Sequence, residues 1–110
     1  TEAQKENAAG TLANLAINDE NSVAIAAAGG IEVLIALARD GNEAQKERAV
    51  GALWNLSDND ANSVAIAAAG GVEVLVALAR DGNEMQKELA AGALSNMIEV
   101  APGTHEGVVE

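Results

Sequence analysis

The ten residues NSVAIAAAGG stand at 21–30 and return unchanged at 62–71. They belong to a longer periodicity. Residues 1–41 and 42–82 differ only at positions 1, 7, 9, 11, 13, 16, 17, 20, 31 and 35, and QKE appears once more at 86–88, so the copies run in a constant 41-residue register. An internal period of about 20–50 residues marks a solenoid, in which each unit is too small to bury its own apolar side and stacks on its neighbours. That requirement constrains everything else in the chain.

The residues available for such stacking are small. Hydrophobic residues make up 49% of the chain but aromatics only 1%, the single Trp54, so the core is built from Ala, Leu, Val and Ile and is expected to be thin. There is no cysteine, which excludes disulfides, thiolate zinc sites and a cysteine nucleophile. No apolar run approaches the ~18 residues of a membrane span, and the polar start TEAQKE is unlike a signal peptide, so the chain reads as soluble with its compartment undecided. A net charge of -11 repels phosphate backbones and anionic membranes. Nucleic acid and membrane are therefore not expected partners, whereas basic peptides are attracted.

Each period divides into three helical stretches, which makes the chain all-α. Thr1, Asn42 and Asn83 are N-cap residues with Gln4, Gln45 and Gln86 three positions on, the spacing of a capping box. Long helices follow, to about Ile17, Ser57 and Ile98. Asn/Asp turns lead to short helices at 23–28 and 64–69, which stop at Gly29-Gly30 and Gly70-Gly71, where a left-handed C-cap is easily adopted. Middle helices at 31–39 and 72–80 then run to Asp-Gly.

The pattern AxxAGG-[IV]-xxL[IV]xLxR followed by GxLxNL, seen in full as GALWNLS at 51–57, resembles the armadillo repeat family, with HEAT-type helical repeats as the alternative. The resemblance implies a right-handed α-solenoid of stacked three-helix repeats. On it, residues 1–17 are the isolated third helix of a partial repeat, 18–58 and 59–99 are full repeats, and 100–110 form a C-terminal tail. The near identity of the copies points to an engineered or excised fragment.

A helical wheel puts Lys46, Ala49, Leu53 and Leu56 on the core side of the long helix. The opposite stripe carries Glu6, Glu47 and Glu88, then Gly10, Gly51 and Gly92, then Asn14, Asn55 and Asn96, with variable neighbours that include Met85, Leu89, Arg48 and Trp54. A solvent-facing stripe tolerates such variation without any function. The family resemblance implies more: the third helices line a concave groove, and an Asn from each repeat bonds the backbone of an extended peptide. The carboxamide of Asn14, Asn55 or Asn96 suits that role because it offers a donor and an acceptor together. Glu6, Glu47, Glu88 and Asp58 favour Lys or Arg side chains on the ligand, while Arg48 is expected to repel them. Peptide-binding relatives in nuclear import place Trp four residues before the Asn, where this chain has glycine, so weak peptide binding or none is expected. Trp54 reads as a packing residue at the groove wall more than as a ligand anchor. The glycines at one groove position either admit close approach or are retained without use.

Two further expectations concern the ends. The 2–17 helix has no preceding short and middle helices, leaving Ala8, Leu12 and Leu15 with fewer partners, which predicts homo-oligomers through uncapped repeat ends, head to tail or by helix exchange. Pro102-Gly103 stops the last helix, and the tail THEGVVE frays or lies in a groove. No catalytic constellation stands out. His105 is distant in sequence from every serine, the repeated glutamates are spaced too widely to share a proton, the DEN and DNDAN clusters lack the Gly and Glu of a calcium loop, and both Gly-Gly pairs follow helices. The sequence thus predicts a protein-interaction module or scaffold with no cofactor or metal, the alternative being a structural repeat fragment without a specific ligand.

Overall fold

A computed structural model describes residues 1–99. Expectations placed on the 100–110 tail, including the Pro102-Gly103 stop and His105, lie outside the described residues. The helices are α1 (Glu2–Leu15), α2 (Asp19–Ala27), α3 (Gly30–Asp40), α4 (Glu43–Leu56), α5 (Asp60–Ala68), α6 (Gly71–Asp81) and α7 (Glu84–Glu99). They form an all-helical solenoid with the long, short, middle order that the sequence suggests.

The starts of the long helices are fixed by reciprocal capping. Asn42 Oδ1 accepts from the Gln45 amide at 2.8 Å while the Asn42 amide donates to Gln45 Oε1 at 3.0 Å, and Asn83 and Gln86 repeat the pair at 2.8 and 3.0 Å. Thr1 and Gln4 do the same at the start of α1. The short helices begin four residues earlier than expected, at Asp19 and Asp60 rather than Val23 and Val64. The cause is capping by Asn18 and Asn59, whose side-chain oxygens accept from the amides of Asn21 and Asn62 at 3.1 and 3.0 Å. The Asp and Asn residues read as a turn are the first turn of a helix. Acidic residues there also favour the positive end of the helix dipole.

Gly29 and Gly70 adopt φ of 87° and 89°, turning the chain by 83° between α2 and α3 and by 86° between α5 and α6. The next glycine serves a different need. A Cβ on Gly71 would lie 2.8 Å from the Ile66 carbonyl oxygen and 3.3 Å from Ile35 Cδ1, so this corner closes only over a bare backbone.

Helix α4 packs between α1 and α7, with α3 against α4 and α6 against α7. Ala9, Ala49, Ala52, Ala90 and Ala93 are fully buried, as are Leu34, Leu53, Leu56, Ile66 and Leu75. Lys46 is half-exposed rather than a core residue, because Gln45, Val50 and Ala52 take the buried face of a helix that is covered on two sides. Polar groups also tie one repeat to the next. Asn62 Nδ2 donates to Ser22 Oγ at 2.6 Å, and Gln45 Nε2 donates to the Glu2 carbonyl and carboxylate at 2.9 and 2.7 Å. Identical residues are buried differently along the array: Leu56 is fully buried whereas its counterpart Leu15 is 44% exposed.

Gly71→Ala is expected to lower stability by about 1–3 kcal/mol through overpacking against Ile66 and Ile35. Urea denaturation followed by helical circular dichroism measures it, and an unchanged midpoint would show that the corner has room.

Candidate functional site

The third helices α1, α4 and α7 stand side by side in register, and a cleft of about 680 Å³ opens across them. Its walls include Asn14 from α1, Glu47, Arg48 and Gly51 from α4, and Met85 and Leu89 from α7. Asn14, Glu47 and Arg48 were candidate site residues on sequence grounds. Glu6, Trp54, Asn55, Glu88 and Asn96 do not line this cleft. Met85 and Leu89 were visible on the wheel only as variable neighbours, and Thr11, which also lines the cleft, lay outside the stripe.

The three amides, alike in sequence, differ in what they touch. Asn14 is exposed and its side chain has no hydrogen bond among the described residues. Asn55 Nδ2 donates to the Ala13 carbonyl at 2.8 Å, a bond from α4 to one of the open carbonyls in the last turn of α1. Asn96 does not repeat it. The equivalent carbonyl, that of Trp54, already accepts from Ser57 Oγ at 2.6 Å, so Asn96 Nδ2 donates instead to Ser57 Oγ and Asp58 Oδ1, both at 3.0 Å. A change from Ala16 to Ser57 between copies thus redirects the next amide. Only Asn14 offers its full donor and acceptor capacity.

The acidic residues diverge in the same way. Glu6 Oε2 pairs with Arg48 Nε at 3.2 Å, so Arg48 stands in an ion pair with a carboxylate of the neighbouring helix. Glu47 Oε2 accepts from Asn83 Nδ2 at 2.9 Å, while Glu43 Oε1 accepts from the same nitrogen at 3.0 Å. Glu88 is exposed and makes no hydrogen bond or ion pair among the described residues. The Glu6–Arg48 pair is half-exposed and contributes at most about 1 kcal/mol.

Two of the three glycines, Gly10 and Gly92, are small because a side chain lies over them. A Cβ on Gly92 would meet three indole atoms of Trp54 at 2.6–2.9 Å, so the ring lies flat on α7. Trp54 is a packing residue between repeats, with 39% of its surface still exposed. Gly10 underlies Arg48, whose Nη1 and Cδ would sit 3.1 and 3.3 Å from an added Cβ. Over Gly51 there is nothing within 4 Å among the described residues.

Residues 18–58 and 59–99 each match the model of the Armadillo/beta-catenin-like repeat. The chain belongs to the armadillo family. Its helices superpose on the crystal structure of an engineered protein from the Northeast Structural Genomics Consortium with a TM-score of 0.88 at 32% identity, covering 99% of this chain and 45% of that one. A second engineered protein from the same consortium gives 0.85 at 37% identity, with 94% and 26% covered. The armadillo chain thus spans less than half the length of either engineered protein. No curated protein sequence matches it. Armadillo repeats form repeat scaffolds, and this chain has that architecture.

Gly92→Ala is expected to cost about 1–3 kcal/mol because the indole must leave its seat, while Gly51→Ala gains about 0.5–1 kcal/mol from helix propensity alone. Thermal or urea melts of the two variants check the contrast, and equal signs for both would contradict the open space over Gly51.

Proposed function

We propose that this armadillo chain is a non-enzymatic protein-interaction module whose groove holds a short extended peptide, anchored at Asn14. The observation that carries the reading is the unpartnered carboxamide of Asn14 at the edge of the 680 Å³ cleft. An amide presents a donor and an acceptor that match one peptide unit whatever its side chain. At Asn55 one of the two amide hydrogens is committed to the neighbouring repeat, and at Asn96 both are. The expected register is therefore centred on α1 and α4, not spread evenly over three rungs. The net charge of -11 steers basic segments toward the groove. Binding is weak, since no aromatic shelf flanks Asn14. The engineered origin of both structural neighbours supports the same origin here, in which case the chain is a scaffold whose ligand was never selected.

Self-association is a second reading, favoured by a cleft of about 330 Å³ between α1, α2 and α3, with Leu12, Leu15, Ile25 and Val33 in its walls. Val33 is 55% exposed there, while its counterpart Val74 one repeat on is 8% exposed. A second copy of the chain is the occupant we propose, because its repeats carry the side chains that cover this surface within one molecule.

Titration of capped Lys/Arg peptides, followed by amide chemical shifts, tests the first reading. Asn14→Ala is expected to weaken binding about three- to tenfold, the worth of one or two net hydrogen bonds, and Asn55→Ala to weaken it less while lowering stability. An equal response to both, or none, counts against the Asn14 anchor. For self-association, light scattering over a concentration series is expected to show growth beyond the monomer mass; a constant monomer mass overturns it.

A further inference from the structure

The molecule contains one filled arginine cradle and an open copy of it. In the filled one, Glu6 and Gly10 lie one turn apart on the same face of α1, where residues i and i+4 are neighbours. Arg48 reaches across from α4, its Nε 3.2 Å from Glu6 Oε2 and its stem and guanidinium laid over the bare backbone at Gly10. An acid and a helical glycine at i,i+4 are all that this seat requires.

Glu47 and Gly51 reproduce the pair on α4. The residue that would supply the cation from α7 is position 89, and there the chain has Leu in place of Arg. Gly51 is accordingly uncovered, and both Glu47 and Gly51 open into the 680 Å³ cleft. The third copy, Glu88 and Gly92, is closed by the Trp54 indole. One seat of the three stays open, and Asn14 faces the same cleft.

We propose that the Glu47–Gly51 seat receives the guanidinium of an arginine in the bound peptide, the ligand supplying what Arg48 supplies to Glu6 and Gly10. The inference rests on the peptide-groove reading and adds the side-chain chemistry. Glu47 has acceptor capacity to spare, since Oε2 accepts one bond from Asn83, Oε1 has no partner among the described residues, and a carboxylate offers about four acceptor sites. The Glu6 carboxylate paired with Arg48 offsets part of its repulsion of a second cation. Met85 and Leu89 give the cleft an apolar wall along which an aliphatic stem lies. Arginine is preferred to lysine because a flat, weakly hydrated fork rests on a bare helix surface and bonds the carboxylate sideways, whereas an ammonium is a compact, strongly hydrated point charge.

The test uses the 110-residue chain at low ionic strength and capped Gly-Ser-X-Ser-Gly peptides with X as arginine, lysine or citrulline. Citrulline keeps the shape of arginine and removes its charge. The arginine peptide is expected to bind about fivefold more tightly than the citrulline one, the upper range for an exposed ion pair, with lysine between them and shifts concentrated at residues 47–51 and 85–89. Glu47→Gln is expected to bring the arginine peptide down to the affinity of the citrulline peptide. Leu89→Arg supplies the cation from within and is expected to remove the preference for arginine, with circular dichroism confirming the fold. Equal affinity for arginine and citrulline peptides, both weakened by Asn14→Ala, overturns the seat and leaves the peptide groove standing. Absence of binding by all three peptides overturns both.

Discussion

Close stacking of third helices is the constraint on which the rest of this structure depends. A 41-residue unit has no interior of its own, so its apolar side is buried only against the next unit, and α4 is buried on both flanks because α1 and α7 lie against it. That arrangement admits little bulk between helices. Alanines 9, 49, 52, 90 and 93 are fully buried in the core, and the larger Leu34, Leu53, Leu56 and Leu75 are buried with them. The low aromatic content is a consequence of the same geometry. The one large ring, Trp54, fits only because the facing residue on α7 is a glycine.

Stacking also decides what the polar stripe does. Residues that recur at one position in three copies would be chemically equivalent on an isolated helix, yet a solenoid sets each against a different neighbour. Replacing Ala16 by Ser57 occupies a carbonyl and sends Asn96 to a new partner. Arg48, where the first copy has Asn7 and the third Leu89, binds Glu6 and leaves Glu47 free to accept from Asn83. The Glu43 carboxylate, turned to that same Asn83, is then missing from Gln86 Nε2, which is buried without a partner among the described residues although the equivalent Gln45 has two. Two single-residue differences, at Ser57 and Arg48, thus redistribute hydrogen bonds and ion pairs along the inner face, each displaced by one repeat from its effect.

This displacement explains what could be read from the chain alone. The helices, their order and most of their caps were legible, because capping boxes and glycine corners are local and the 41-residue register repeats them. The short helices begin earlier than expected because Asn18 and Asn59 cap them without the Glu or Gln three residues on that marks the other starts. The wheel placed Asn14, Glu47 and Arg48 on the face where the cleft opens, but Glu6, Trp54, Asn55, Glu88 and Asn96 do not line it. The state of each residue on the stripe was not legible, since Asn14, Asn55 and Asn96 differ only through partners about forty residues away. The same holds for Arg48: its position on α4 was visible, its ion pair with Glu6 on α1 was not.

A groove whose polar groups hold the array together has limited capacity for a ligand. Each carboxamide or carboxylate bonded to a neighbouring helix must give up that bond before a peptide can use it, and a net hydrogen bond is worth only about 1 kcal/mol in either direction, so exchange yields almost nothing. Affinity must come from groups that stacking has left over. Along this inner face those are the amide of Asn14, the second oxygen of Glu47 and the bare helix at Gly51, and the cleft brings them together. Longer arrays of the same unit would escape this limit only if the substitutions that free one rung recurred in every repeat. Exact repetition would not do that, because an identical neighbour offers each amide the same internal acceptor that Ala13 offers Asn55. Variation between copies is thus the means by which this repeat array leaves polar groups without an internal partner.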